Sequence, residues 1–241
     1  MSHHDVTIRE GVGSGLRFRA GHNPDYAAGI DERPVQEALA RHLRPGDVFY
    51  DIGANIGFLT VIGARLVAAE GHVVAFEPVP ENADAVRRNC ELNSFGHVRV
   101  LQTAVSNSVG TAALQVAHHA GGAALADVAL PVDRKGTITV PTTTVDTLIA
   151  QQQVPPPSLV KIDVEGAELN VLLGMRDTLR RFGPTIIYEL DDGDAQSLSR
   201  KTAACEQVLR DMDYDIQQLE NSYPDIEWLV THFVARPRHK L

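Results

Sequence analysis

The 241-residue sequence predicts a single α/β domain with a doubly wound, mainly parallel seven-stranded sheet, helices on both faces and an antiparallel last strand. Three observations predict this fold. From residue 48 onward, short apolar runs alternate with segments of helical apolar spacing, as in right-handed βαβ crossovers. A Gly-Ala-Asn-Ile-Gly turn at 53–57 joins the first apolar run to a helix. The last two apolar runs are too close for a helical crossover and should pair antiparallel.

The elements follow in chain order. Residues 1–45 are predicted to form an N-terminal extension with one helix, because 35–43 has helical apolar spacing that Pro45 and Gly46 end. Residues 46–241 are predicted to form the core. Its strands are expected at 48–52, 72–77, 97–102, 158–163, 184–190, 214–219 and 227–234. Its helices are expected at 55–69, 80–94, 166–182 and 199–212.

Residues 107–145 interrupt the alternation of strands and helices. Two short β-like runs, at 111–116 and 137–141, flank a segment that contains Gly121 and Gly122. This pattern predicts an inserted β-hairpin with a loop, a common cover for a substrate pocket.

Composition limits the classes of partner and compartment. The net charge is -9 and no long Lys/Arg block occurs, so we expect no nucleic-acid partner. The first residues show no basic segment followed by an apolar run, so we expect no signal peptide, and no stretch approaches the roughly 20 apolar residues of a membrane span. Cys90 and Cys205 alone cannot form a disulfide framework or a zinc site. We therefore expect a cytoplasmic protein with reduced cysteines; a homo-oligomer, with 1–30 packed on a neighbouring subunit, is compatible with the sequence.

The turn after the first core strand indicates a cofactor site. Gly53 lets the chain turn above the strand end, Asn55 tolerates a positive φ, and Gly57 permits close packing of the helix on the sheet. Nucleotide-like cofactors bind at such helix N-termini because free N–H groups converge there. Asp51 puts a carboxylate where a phosphate would lie, which favours a ligand with a positive charge or an ammonium group.

The next two strand ends extend this site. Glu77 ends the second core strand, where a carboxylate can accept both hydroxyls of a ribose. Asn82, in the following helix, is expected at the surface. Residues 102–107 end the third strand, where they either line an adenine pocket or form an ordinary turn.

A third motif, Lys161-Ile-Asp-Val-Glu-Gly-Ala-Glu168, has three acids at the point where a predicted strand passes into a helix. Carboxylates there gain stabilisation from the helix dipole, which accounts for one acid more readily than for three. One could be a general base if burial and neighbouring charge raise its pKa. Clustered oxygens also suit Mg²⁺, with Glu189 or Asp191 as a further ligand, but we predict no metal site.

Three histidines in predicted loops are further candidates for a base near neutral pH. They are His22, His118 and His119, and each is expected to be an incidental surface residue. The acidic run that follows Glu189, at 191–194, is expected to be solvated.

The motifs together resemble the FkbM-type family of S-adenosylmethionine-dependent methyltransferases. The resemblance rests on four segments, at 51–57, 76–78 with Glu81 and Asn82, 103–106, and 161–168, and covers about 30–190. It implies a Rossmann-like class I methyltransferase core, S-adenosyl-L-methionine as cofactor and S-adenosylhomocysteine as product. Residues 1–30 and 107–145 match no family motif, so we expect them to define the small-molecule acceptor.

The resemblance also implies residue roles. Cofactor binding is expected at Asp51, Gly53, Asn55, Gly57, Glu77, Pro78, Ala104, Val105, Asp163 and Glu32. Glu32 departs from the family pattern, in which a Glu-Pro pair often precedes the core, because Arg33 separates it from Pro34. Asp163 and Glu165 are the catalytic candidates, with Glu165 as the base and Asp163 binding or orienting.

We expect O-methylation of a hydroxyl on a small molecule or a sugar-bearing natural product. N-methylation of an amine or peptide-like acceptor is the alternative. An NAD(P)-dependent oxidoreductase would share the turn and the ribose acid, although Asp51 and the lack of a hydride-site pattern disfavour it. A non-catalytic module that keeps the cofactor fold is a further alternative, which the acids at 163 and 165 disfavour.

Overall fold

A computed structural model describes residues 5–21, 23–117, 123–125, 134–223 and 228–238. The helices are α1 (Pro24–Ala28), α2 (Arg33–His42), α3 (Phe58–Val67), α4 (Pro80–Leu92), α5 (Val145–Ala150), α6 (Glu168–Leu173), α7 (Arg176–Phe182) and α8 (Ala195–Asp211). The strands are β1 (Val6–Thr7), β2 (Arg17–Phe18), β3 (Val48–Ile52), β4 (His72–Phe76), β5 (Val98–Leu101), β6 (Ala104–Val105), β7 (Gly110–Ala117), β8 (Ala123–Leu125), β9 (Arg134–Thr143), β10 (Leu159–Ile162), β11 (Thr185–Asp192), β12 (Tyr214–Gln218) and β13 (Leu229–Pro237).

The central sheet confirms the predicted fold class. Its seven strands run in the order β12-β13-β11-β10-β3-β4-β5. Strands β11, β10, β3, β4 and β5 pair parallel, and β13 lies antiparallel between β11 and β12. The predicted antiparallel pairing of the last two strands is therefore confirmed.

Two hydrophobic cores cover the two faces of the sheet. Along β3 and β4, Phe49 and Val73 join one core, and Tyr50 and Val74 join the other, as the alternation of side chains in a strand requires. Helices α2, α3 and α4 contribute to the first core, and α5 to α8 contribute to the second. Because both faces are buried, the strands read as continuous apolar runs in the sequence.

Some helix boundaries differ from the prediction for local reasons. The predicted helix 55–69 begins only at Phe58, because Asn55 and Gly57 have positive φ angles of 50° and 90°. The predicted helix 166–182 is two helices, α6 and α7, with Gly174 between them at a position where a Cβ would overlap the carbonyl oxygen of Ser106. Helix α8 starts four residues early, where the Asp194 side chain accepts the N–H of Ser197 at 2.8 Å.

The N-terminal segment and the insertion are more regular than the sequence predicts. Residues 5–45 contain two helices, α1 and α2, rather than one, and β1 pairs antiparallel with β2. In the insertion the two predicted β-like runs pair antiparallel as β7 and β9. They belong to a four-stranded sheet of order β6-β9-β7-β8, to which β6 contributes a parallel edge. Within the described ranges, no helix is long and apolar enough to cross a bilayer.

Candidate active site

The turn between β3 and α3 lies at the carboxyl edge of the central sheet. The N–H groups of Gly53 and Ala54 both donate to the carbonyl oxygen of Phe76, at 3.0 Å. Gly53 has a φ of 83°, and a Cβ on it would overlap the carbonyl oxygen of Asp163. Only glycine therefore lets the turn lie against β10, as the sequence predicted for a close backbone approach.

Glu77 fixes the shape of this turn. Its carboxylate accepts the N–H of Asn55 at 2.9 Å and the N–H of Val79 at 2.8 Å. Burial raises the pKa of Glu77 to about 7, although the two backbone N–H groups and the Asn82 side chain favour the charged form. Glu77 thus braces the turn as well as facing the cleft, a role that the sequence alone did not indicate.

Two adjoining spaces open at this edge. The first, which we call the large cleft, is lined by residues that include Gly53, Asn55, Glu77, Pro78, Asn82, Thr103, Ala104, Val105, Leu114, Asp163 and Glu165. The second, the small pocket, is lined by residues that include Tyr26, Asp31, Glu32, Asp51, Asn55, Phe58, Lys161 and Asp163. Gly53, Asn55 and Asp163 line both spaces, so the two lie next to each other at the turn.

The small pocket holds unsatisfied hydrogen-bond acceptors. Asp51 is 1% exposed; its Oδ2 accepts the Thr60 hydroxyl at 2.5 Å, whereas its Oδ1 has no hydrogen-bond partner. The Oδ1 of Asn55 is also buried without a partner. Buried acceptors without donors are costly, and an ammonium group would satisfy them. The residues present therefore fit the amino-acid end of S-adenosylmethionine.

Lys161 supplies positive charge to the same pocket. It lies beside Asp51 in the β10–β3 pairing, and its Nζ is 2.9 Å from Oδ2 of Asp163. Burial alone would lower the pKa of Lys161, but the carboxylates of Asp163, Glu32 and Asp51 outweigh it and hold the pKa well above its usual value. Lys161 is the first residue of the motif at 161–168, but the motif alone indicated no role for it.

The three acids that follow β10 have separate roles. Glu168 is a structural residue: it is 3% exposed and accepts the N–H groups of Val164 at 3.2 Å and Gly166 at 3.0 Å. Glu165 has a positive φ of 55° and lines the large cleft. Burial, with repulsion from Asp163 and other carboxylates, raises its pKa to about 9. Of the three, Asp163 and Glu165 therefore face the cleft.

A buried ion-pair triad joins the N-terminal segment to the core. His232 on β13 is 2% exposed; its Nε2 lies 2.6 Å from Oε2 of Glu189 and 3.7 Å from Oε2 of Glu32. Burial alone would lower the pKa of His232, but the two glutamates outweigh it and raise the pKa to about 10. A protonated imidazole between two carboxylates thus ties α2 to β11 and β13.

This triad is also a set of possible metal ligands, since one atom from each residue lies within 4.8 Å of the others. However, two ligands of one ion lie about 3 Å apart when metal–ligand bonds are about 2.1 Å long. The 2.6 Å between His232 and Glu189 is shorter and fits an ion pair between the two side chains. The absence of a metal site stays a prediction.

Most of the sequence-predicted site residues meet at this edge. Glu32 and Asp51 lie in the small pocket, while Pro78, Ala104 and Val105 line the large cleft. Their roles in cofactor binding stay predictions.

Two expectations were wrong. Asn82, expected at the surface, lines the large cleft. Gly57 does not serve helix–sheet packing: a Cβ on it would lie 3.2 Å from Val86 of α4, so it spaces α3 from α4. Close packing on the sheet depends instead on Gly63, where a Cβ would overlap the ring of Phe49.

Other candidates were missed or cannot be placed. Tyr26, Asp31, Leu114 and His232 gave no local signal, because each reaches the edge from an element that is distant in sequence. His22, His118 and His119 lie outside the described residues.

Comparisons with known proteins agree with this geometry. A family model described as the methyltransferase FkbM domain matches residues 51–216. The chain is 30% identical to the hexuronic acid methyltransferase AglP of Haloferax volcanii over 79% of this chain and 78% of that protein. It is 32% identical to the 31-O-demethyl-FK506 methyltransferase FkbM of Streptomyces tacrolimicus over 56% of this chain and 62% of that protein.

Solved structures show the same fold at low sequence identity. The methyltransferase FkbM of Methylobacillus flagellatus aligns with a TM-score of 0.52 at 17% identity, over 83% of this chain and 50% of that chain. The precorrin-6Y C5,15-methyltransferase of Geobacter metallireducens aligns with a TM-score of 0.51 at 14% identity, over 85% of this chain and 89% of that chain. With the family match and the AglP relative, these findings show that the chain belongs to the FkbM family of S-adenosylmethionine-dependent methyltransferases.

Proposed function

We propose that this methyltransferase transfers the methyl group of S-adenosylmethionine to a hydroxyl oxygen of a small, sugar-bearing acceptor. The observation that carries the proposal is that the two spaces lie side by side at Gly53 and Asn55, with Asp163 lining both and Glu165 lining the large cleft. The relative from Haloferax volcanii, by its name, acts on a hexuronic acid, which supports a sugar-bearing acceptor. The cytoplasmic location stays a prediction.

The two adjacent spaces have different linings, which suit the two chemically different ends of the cofactor. In the small pocket, Asp51 and Asn55 offer unsatisfied acceptors to the methionine ammonium group, and Lys161 offers a cation to its carboxylate. In the large cleft, Glu77 is placed for ribose hydroxyls, and Ala104 and Val105 present small apolar side chains for adenine. When bound, the cofactor supplies an activated methyl group on a sulfonium sulfur.

Glu165 is the proposed base. The acceptor hydroxyl is a weak nucleophile near neutral pH, so a carboxylate that takes its proton accelerates attack on the methyl carbon. Glu165 would take the hydroxyl proton as the new carbon–oxygen bond forms and the methyl group leaves the sulfur of the bound cofactor. The raised pKa of Glu165, about 9, makes its carboxylate a stronger base than an exposed glutamate. Asp163, fixed by Lys161 at 2.9 Å, orients the groups around it.

Titration calorimetry tests the cofactor part of this proposal. The purified protein is titrated with S-adenosylmethionine, S-adenosylhomocysteine and NADH. Binding of the first two in the micromolar range, or about -8 kcal/mol, with no binding of NADH is the expected result. Failure of S-adenosylhomocysteine to bind would contradict the assignment of the two spaces.

Product analysis tests the receiving atom. Methyl-labelled S-adenosylmethionine is incubated with the protein and a panel of neutral sugars and amino sugars. We expect label on an oxygen, identified by the carbon chemical shift of the new methyl group. Label on nitrogen alone would replace O-methylation by N-methylation.

A further inference from the structure

Trp228 is an exposed aromatic ring that the structure nevertheless holds in place. It is the single tryptophan of the sequence and is 49% exposed. Its Nε1 donates to Oδ2 of Asp191 at 2.6 Å. Its ring lies against Gly193, where an added Cβ would come within 2.7 Å of Cζ3. The ring thus combines a hydrogen-bonded polar edge with an apolar face open to water, the form in which tryptophan is enriched at interfaces.

The ring lies at the same edge of the sheet as the active site. Trp228 precedes β13, whose Leu229 and Val230 pair with Asp192 and Asp191 at the carboxyl end of β11. Asp191 is close enough to Glu165 for its charge to help raise the pKa of Glu165. Trp228 is therefore hydrogen-bonded to a carboxylate whose charge acts on the proposed base.

The charge of this region restricts what can lie on the ring. Four acids lie close enough at this edge to influence one another through their charges: Asp163, Glu165, Glu189 and Asp191. An acceptor with a free carboxylate would be repelled. Because burial and repulsion from neighbouring carboxylates raise the pKa of Glu165 to about 9, its carboxyl group carries a proton near neutral pH. Such a carboxyl group donates as well as accepts hydrogen bonds, which suits hydroxyl groups better than a cation.

We propose that Trp228 is the stacking platform of the acceptor site, on which the apolar face of an uncharged sugar ring lies while its hydroxyls bind Asp191 and reach Glu165. This assignment rests on the proposed function, since it names the part of the acceptor that the same site recognises. It also predicts that this chain, unlike a protein that selects a hexuronate by its carboxylate, prefers a sugar without a charge.

The single tryptophan gives a direct test, because its fluorescence reports this ring alone. The intact protein, saturated with S-adenosylhomocysteine, is titrated with a neutral methyl hexoside, its cationic amino-sugar analogue and its anionic uronate analogue. We expect a saturable change in Trp228 fluorescence with the neutral sugar, at a Kd of about 1–10 mM, and weaker responses to both charged analogues.

Variants link the response to the ring. Saturation-transfer NMR of the neutral sugar is compared for the wild type, W228A, W228F and F182A. Phe182 is the matched control, since it is also exposed, at 39%, but lies at the end of α7, at the opposite edge of the sheet. We expect W228A to weaken sugar binding roughly tenfold or more, W228F to keep most of it, and F182A to leave it unchanged.

The outcomes are separable. If S-adenosylhomocysteine binds but no sugar changes the fluorescence up to roughly 100 mM, the stacking site is refuted and the methyltransferase assignment stands. A dominant response to the amino sugar or to the uronate overturns the assignment of an uncharged ring. If S-adenosylhomocysteine itself does not bind, the proposed function and this inference fail together.

Discussion

Replacing Glu165 with glutamine should make the protein more stable and less active. Glu165 has a folded-state pKa of about 9 against an ordinary value of 4.5. A carboxyl whose pKa is raised on folding costs no stability below its unfolded pKa, and the cost grows as pH rises from 4.5 toward 9. Glutamine keeps the size of the side chain and removes the charge, so it removes this cost.

The size of the expected stability gain in E165Q follows from the pKa shift of Glu165. One pKa unit corresponds to about 1.4 kcal/mol, and Glu165 is half-buried, so the full shift must be discounted for solvent screening. We expect E165Q to raise the free energy of unfolding by about 2 kcal/mol at pH 8 and by little at pH 5. For a chain of this length, that gain corresponds to a rise in Tm of roughly 4–8 °C.

Thermal unfolding of the wild type and E165Q at pH 5 and pH 8 measures the stability. The matched control is E91Q, an exposed position at the end of α4, where we expect no pH-dependent gain. With an acceptor in hand, kcat/KM of the wild type should rise with pH below about 9, and E165Q should lose that rise together with about 10²–10⁴ in rate. A variant that is destabilised at pH 8, or that keeps wild-type turnover, would refute the reasoning.

Three further predictions concern the turn and the triad. E77A should weaken binding of S-adenosylhomocysteine by about 1–3 kcal/mol in calorimetry, because it removes a charged acceptor; unchanged affinity would exclude the ribose role. G53A should abolish binding of S-adenosylhomocysteine or lower Tm much more than the control variant G46A does. Both glycines have a positive φ, but only at Gly53 would a Cβ overlap the backbone of Asp163. Equal effects of the two variants would contradict this reason. H232Q should cost about 3–5 kcal/mol of stability, because it leaves two buried carboxylates without their cation. In the wild type this stabilising contribution is complete below pH 6.5 and is lost as pH rises toward about 10. The Tm of the wild type should therefore fall between pH 6 and pH 10, and H232Q should lack this part of the fall.

Much of the active-site edge could be predicted because its signals are local. Gly53 and Asn55 are required by the dihedral angles of the turn, and acids at 77 and 163 directly follow strands whose apolar runs are continuous. Parallel strands bring their carboxyl ends to one edge, so these residues had to lie at the same edge of the sheet. The antiparallel last pair followed from the length of its connection alone.

Several contacts had no local signal. Asn82 lines the cleft, and Gly174, between α6 and α7, lies where a Cβ would overlap the carbonyl oxygen of Ser106, a residue distant in sequence. The N-terminal helix α1 is held by Asn23, whose side chain accepts the N–H of Asp25 at 2.9 Å. That cap, unlike the two contacts above, is a local signal in the sequence.

The chain order of strands and turns therefore determined the fold class, the cofactor edge and the family. The charge balance of the site was decided by tertiary structure. Lys161 meets Asp51 only because β10 pairs with β3, and His232 meets Glu189 only because β13 inserts beside β11. These pairings join residues far apart in sequence, and they are selected by the burial of two hydrophobic faces at once. Local sequence fixes which residues end a strand, but only the packed sheet fixes which strand ends are neighbours and hence which charges compensate one another.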